Sequence, residues 1–127
     1  LDLALQRRDL YRFHGGIQKV LYEGTITADG NTKTSNPVYV MPFKEGTFFI
    51  NCTAKSGTNP TLDLLVITKQ PGQDQWNTLA TFTQLTDVGS EMKAVAANLG
   101  DTIALIWTKG GTTPSFTVKV TAILKVF

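Results

Sequence analysis

The sequence predicts an all-β protein: an antiparallel two-sheet sandwich, of jelly-roll or Ig-like strand order, with an extended N-terminal arm. Three observations lead there. Apolar and polar residues alternate over short runs, the period of a half-buried strand, and no segment of the body keeps a 3.6-residue period over three turns. Gly, Pro, Asn and Asp punctuate those runs at the spacing of a sandwich. Two segments, Lys55–Val66 and Lys109–Val120, repeat each other 54 residues apart and agree at five of twelve positions. Each copy holds a Gly-Thr-x-Pro stretch, which reads as a loop leading from one strand into the next. The body then looks like a sandwich built on two similar hairpins. Such a body carries no chemistry of its own, so function is sought in loops, edges and tails.

Residues 1–16 form the head. Leu1, Leu3 and Leu5 suit one face of a short helical turn, with Asp2 near its start favoured by the helix dipole. Gly15-Gly16 breaks regular structure. The body, 17–127, starts near Ile17, and Lys19–Thr27 reads as its first strand. Ala28-Asp29-Gly30-Asn31 is a turn, with Asp-Gly as a hairpin signal. Thr32–Met41 is interrupted by Pro37, which places its start at an edge or in a loop. Gly46–Ala54 alternates Phe48, Ile50 and Cys52 against Phe49, Asn51 and Thr53. Thr61–Lys69 sets Leu62, Leu64 and Val66 on one face, with Leu65 and Ile67 on the other, as in a central strand covered on both sides. Trp76, Leu79 and Phe82 fill the next strand. Asp87–Ser90 is a turn, and Glu91–Ala97 reads as a poor strand, a helical turn or a loop. Thr102–Thr108 alternates Ile103, Leu105 and Trp107 with Ala104, Ile106 and Thr108. Ser115–Val126 closes the chain, with Phe116, Val118, Val120, Ala122 and Leu124 on one face.

The chain of 127 residues makes one domain, large enough to bury a core without disulfides. Charged residues are 17%, so Thr, Ser, Asn and Gln supply much of the polar surface. The net charge of +2 resides in residues 1–19, where Arg7, Arg8, Arg12 and Lys19 oppose Asp2 and Asp9, and the remainder is neutral. All three arginines lie in this head and every later cation is Lys. Arginine pairs with carboxylates, phosphates and aromatic faces through a rigid fork, whereas lysine is a well-hydrated solubilising charge. The head therefore reads as a docking segment, and Tyr11 and Phe13 beside it offer apolar anchors. A net charge this small predicts no nucleic-acid partner. No apolar run reaches the ~18 residues that span a bilayer, and the start is too short and wrongly flanked for a secretory signal, so no membrane partner is expected.

Catalytic patterns are missing. One His and one Cys exclude a His/Cys zinc site in one chain, and no acidic cluster has calcium-loop spacing. A triad would need His14, in the head beside two glycines, whereas catalysis needs groups held on rigid elements. Phosphate-loop and dinucleotide fingerprints are absent. The expectation is a non-enzyme with no cofactor and no metal. Cys52, in an apolar strand, reads as a buried small hydrophobe. Trp107 alternates with core residues and reads as core. Trp76, after a Pro-Gly-containing turn, and Tyr39 are the candidates for surface recognition, since aromatic faces stack on sugar rings.

The runs Gly57-Thr58-Asn59-Pro60-Thr61-Leu62-Asp63, Gln73-Asp74-Gln75-Trp76, Leu79–Leu85 and Gly89-Ser90 resemble small structural proteins of tailed bacteriophages. So do Leu99-Gly100, Ile106-Trp107-Thr108 and Gly110–Val118. The resemblance covers about residues 55–121. It implies a β-sandwich virion component without catalytic residues, of the capsid decoration (cement) type: a body on the outer capsid surface, partnered by the major capsid protein, self-associating as a homotrimer. The head lies outside the resemblance. Its reading as a clamping arm rests on its charge: Arg7, Arg8 and Arg12 would pair with acidic capsid groups while Leu3, Leu5, Leu10, Tyr11 and Phe13 fill shallow pockets. The alternative is a tail-fibre or baseplate module that recognises host-surface glycan.

Overall fold

The computed structural model describes residues 16–126. Their strands are β1 (Gly16–Ile26), β2 (Gly30–Asn31), β3 (Val38–Tyr39), β4 (Glu45–Lys69), β5 (Trp76–Thr81), β6 (Gly89–Val95) and β7 (Thr102–Lys125). Every pairing is antiparallel. Gly16 already pairs with Lys125 in β1, one residue before the expected start of the body.

The two long strands organise everything else. β4 and β7 pair from Glu45↔Lys125 to Lys69↔Thr102. In the first half, the C-terminal part of β7 lies between β1 and the N-terminal part of β4, and β6 adds beyond β4. In the second half, the N-terminal part of β7 lies between the short β2 and β3 and the C-terminal part of β4, and β5 adds beyond β4. One seven-stranded antiparallel sheet thus curls on itself in a jelly-roll-like manner. Its inner rows meet in one core: Phe48, Ile50, Val118 and Val120 from the first half, Leu62, Leu64, Ile103 and Leu105 from the second. Each such side chain contributes about 1.5–3 kcal/mol of hydrophobic stabilisation.

The repeated Gly-Thr-x-Pro stretches are not loops between hairpins. They are the mid-strand bends at which β4 and β7 pass from one half to the other, and they face each other, with Ser56↔Ser115 and Thr58↔Thr112 paired. The ladder slips three times here, between Cys52/Ala54, Ser56/Thr58 and Thr58/Thr61, and such bulges bend and twist strands. Equivalent residues take equivalent conformations: Gly57 has φ 113° and Gly111 φ 93°, Asn59 φ 50° and Thr113 φ 46°. A side chain at Gly111 would lie 2.4 Å from the Asn59 carbonyl oxygen, and one at Gly57 would lie 2.7 Å from that of Thr113. Each glycine is required by its partner's backbone.

Other expectations change for local reasons. Asp29-Gly30 starts no hairpin, because Gly30 and Asn31 pair with Trp107 and Ile106 of β7 rather than with β1. Asp29 instead accepts the Lys109 N–H at 2.8 Å. Pro37 splits Thr32–Met41, as expected, and leaves only two residues of β3. Thr32 is buried there and spans the gap, its hydroxyl accepting from Leu105 N–H at 2.9 Å. Asn36 donates to the carbonyls of Val20 and Leu21 at 3.2 and 2.9 Å, where the β1 ladder slips, and so ties the second half to the first. Trp107 is core, donating to the Ala28 carbonyl at 3.1 Å and packing on Tyr22.

Candidate interaction surfaces

Edges come first, because an open strand edge is the default place for another chain to add. Among the described residues β6, residues 89–95, is an edge strand, paired with β4 alone, where the sequence pattern is ambiguous, and the ambiguity has a physical cause. Glu91 and Lys93 stand opposite Ile50 and Phe48, on the core side of the rim. Their polarity breaks the apolar alternation. Glu91 accepts from the Thr83 N–H and hydroxyl, both at 2.7 Å, and lies 3.7 Å from Lys93. Those two Thr83 bonds, chiefly the one from the hydroxyl, hold the Glu91 carboxyl below its usual pKa. Inward charges on an edge strand discourage edge-to-edge pairing.

The outer face of the first half is different. Directly opposed residues of antiparallel strands share a face, so Met92, Phe49, Thr121 and Val20 form one row across β6, β4, β7 and β1. Ala94, Thr47, Ile123 and Gln18 form the next. Met92 is 61% and Val20 40% exposed. None of the eight positions is charged. Beyond them lie Glu23 opposite Lys119 on one side, and the Glu45–Lys125 ion pair, at 3.8 Å, on the other. A shallow depression of about 370 Å³ opens at the β6 end of these rows beside Phe49, Asn51, Ser90 and Met92, with Ile50 and Glu91 also lining it.

The sequence-derived arm residues Leu3, Leu5, Arg7, Arg8, Leu10, Tyr11, Arg12 and Phe13, and also His14, lie outside the described residues. Tyr39 is 60% exposed on β3, and Trp76 is half-buried at the start of β5 with the Lys69 ammonium 5.4 Å from its ring centre. The structure sets these two aromatics on one row, Tyr39–Thr102–Lys69–Trp76, through successive strand pairs. Sequence alone shows no link between them, since the row joins four separate segments. Cys52 is buried, donates to the Ala54 carbonyl at 3.4 Å, and burial raises its thiol pKa. Among the described residues, no three His, Cys, Asp or Glu side chains gather as metal ligands.

No protein-family model matches the sequence, and no curated protein sequence does. Solved structures do match in shape. A tumour-necrosis-factor protein, Eiger from S. frugiperda, aligns over 89% of this chain and 94% of its own with a TM-score of 0.50 and 11% identity. The likeness is one of fold. The N-terminal modules of a Clostridium thermocellum endo-1,4-β-D-xylanase, solved with xylohexaose, match 86% of this chain at TM-score 0.48 and 11% identity, and the match spans 29% of that solved chain. PirA matches 87% of this chain and 93% of its own at TM-score 0.45 and 8% identity.

Proposed function

We propose that this protein is a non-enzymatic virion structural protein, a capsid decoration protein that seats the outer face of its first half on the outer capsid surface. The supporting observation is the uncharged double row of Val20, Phe49, Met92, Thr121 and their neighbours, bounded by opposite-charge pairs on a rigid four-strand platform. An uncharged centre with a charged rim is the anatomy of a protein–protein interface. The rows extend roughly 14 Å across the strands and about 7 Å along them. That patch is well below the ~800 Å² per partner of a stable interface. The face therefore needs a second contact, which the arginine-bearing head supplies to neighbouring subunits, and many copies on a closed shell add to one another. By the phage resemblance, the partner is the major capsid protein and the self-associated form a homotrimer.

The test is co-sedimentation with capsids that lack the protein, at low and high salt, comparing the whole chain, a variant lacking residues 1–14, and Met92→Arg. Saturable binding that weakens with salt, is lost without the head and falls in Met92→Arg is the expected result. Unchanged binding in both variants sinks the mechanism.

A further inference from the structure

We propose a second surface, on the other side of the core: the row Tyr39–Thr102–Lys69–Trp76 binds carbohydrate, with the two aromatic rings as stacking platforms. Val38 and Thr68, neighbours of two of these residues, turn inward. Val38 packs in the core and Thr68 donates to the Leu99 carbonyl at 2.6 Å. By alternation Tyr39 and Lys69 point outward, and their opposed partners Thr102 and Trp76 share that face. Three strand spacings, roughly 14 Å, separate the backbones that carry the two rings. That gap suits an extended oligosaccharide, with a sugar ring on each aromatic and others between them.

The chemistry between and beside the rings fits hydroxyl-rich ligands. Lys69 offers its ammonium in the middle of the row and positions the Trp76 ring by a cation–π contact. Thr102 lies next to it, its hydroxyl donating to the Asp101 carboxylate at 3.0 Å. Around the β5 edge, Gln70, Gln73, Gln75 and Asn77 line a depression of about 80 Å³, with Asn77 on the Thr68 side of the sheet, so it borders the row at the strand edge and is not part of its face. Side-chain amides donate and accept at once, as adjacent sugar hydroxyls require. The aliphatic pair nearest the row is withdrawn from solvent, Ile67 at 5% and Ala104 at 2% exposed, while the next pair, Leu65 and Ile106, is half-buried. The row itself presents aromatic rings and hydrogen-bonding groups, Tyr39, Thr102, Lys69 and Trp76, and no aliphatic side chain. Lys69 is accompanied by Asp101 rather than by further cations, so the row lacks the basic field that nucleic acid needs.

This proposal goes beyond the decoration reading and does not depend on it, because its test contains no capsid. Native gels cast with xylan, mixed-linkage β-glucan, galactomannan or mucin are run with the whole chain, Tyr39→Ala, Trp76→Ala and Met92→Arg. At least one polymer is expected to retard the wild type. Each aromatic substitution is expected to weaken that retardation about tenfold, and Met92→Arg to leave it unchanged. The near-UV circular dichroism of buried Trp107 and the Tyr22 ring packed on it reports whether each variant is folded, and the exposed Tyr39→Ala carries the test if Trp76→Ala is not. No retardation by any of the four polymers overturns the proposal, as does retardation equal in wild type and both aromatic variants.

Discussion

Replacing Gly111 with alanine tests the joint that holds the two halves together. The perturbation has two parts. Gly111 sits at φ 93°, which costs an L-residue about 1–2 kcal/mol. Its new Cβ would also stand 2.4 Å from the Asn59 carbonyl oxygen and 2.8 Å from that of Thr58, both backbone atoms that cannot rotate away. Relief requires the paired bends of β4 and β7 to separate by several tenths of an ångström. Overpacking of this kind adds about 1–3 kcal/mol. The sum is roughly 3 kcal/mol, or a fall in Tm of about 10 °C for a domain of this size. Gly72→Ala is the control. It shares the positive φ, at 75°, but nothing lies within 4 Å of its Cβ, so it should lose only the backbone part. Thermal and urea unfolding of both variants decide the matter. If Gly111→Ala loses no more stability than Gly72→Ala, the close approach of the two repeats is not what the fold depends on.

Thr32→Val should cost about 1–3 kcal/mol in urea unfolding, because it removes the buried hydroxyl that accepts from Leu105 N–H and strands that donor; an unchanged midpoint refutes the assignment. Glu91 has its pKa lowered on folding, so its contribution is present above the unfolded value near 4.5 and disappears as pH falls through the lower folded value. Wild-type Tm should therefore drop more steeply than that of Glu91→Gln as pH falls below about 4.5, and parallel curves would contradict the Thr83 anchoring. The Cys52 thiol, buried and with a raised pKa, should resist a thiol reagent at pH 8 in the native protein and react at once in denaturant; fast native labelling would show that this part of β4 opens readily.

The rows that form the interior can be read from local alternation. Alternation marked Phe48, Ile50 and Cys52, then Leu62, Leu64 and Val66, then Ile103, Leu105 and Trp107, and these are the buried rows. A strand's period of two is a local property, so it survives without knowledge of the partner strand. The same local signal failed at Glu91–Ala97, where side chains on the core side of an edge strand are charged for reasons that exist only beside Thr83 and the rim. It failed again at the two Gly-Thr-x-Pro stretches. Glycine and proline mark a change of direction, but whether the chain turns back or bends on into a second half depends on what lies opposite. Here each repeat lies opposite the other. That pairing, and with it the two outer faces, exists only once the whole chain has folded. The uncharged row across Val20, Thr121, Phe49 and Met92, and the Tyr39–Trp76 row, each join four segments distant in sequence, because register between strands is set by the whole fold and not by any one of them.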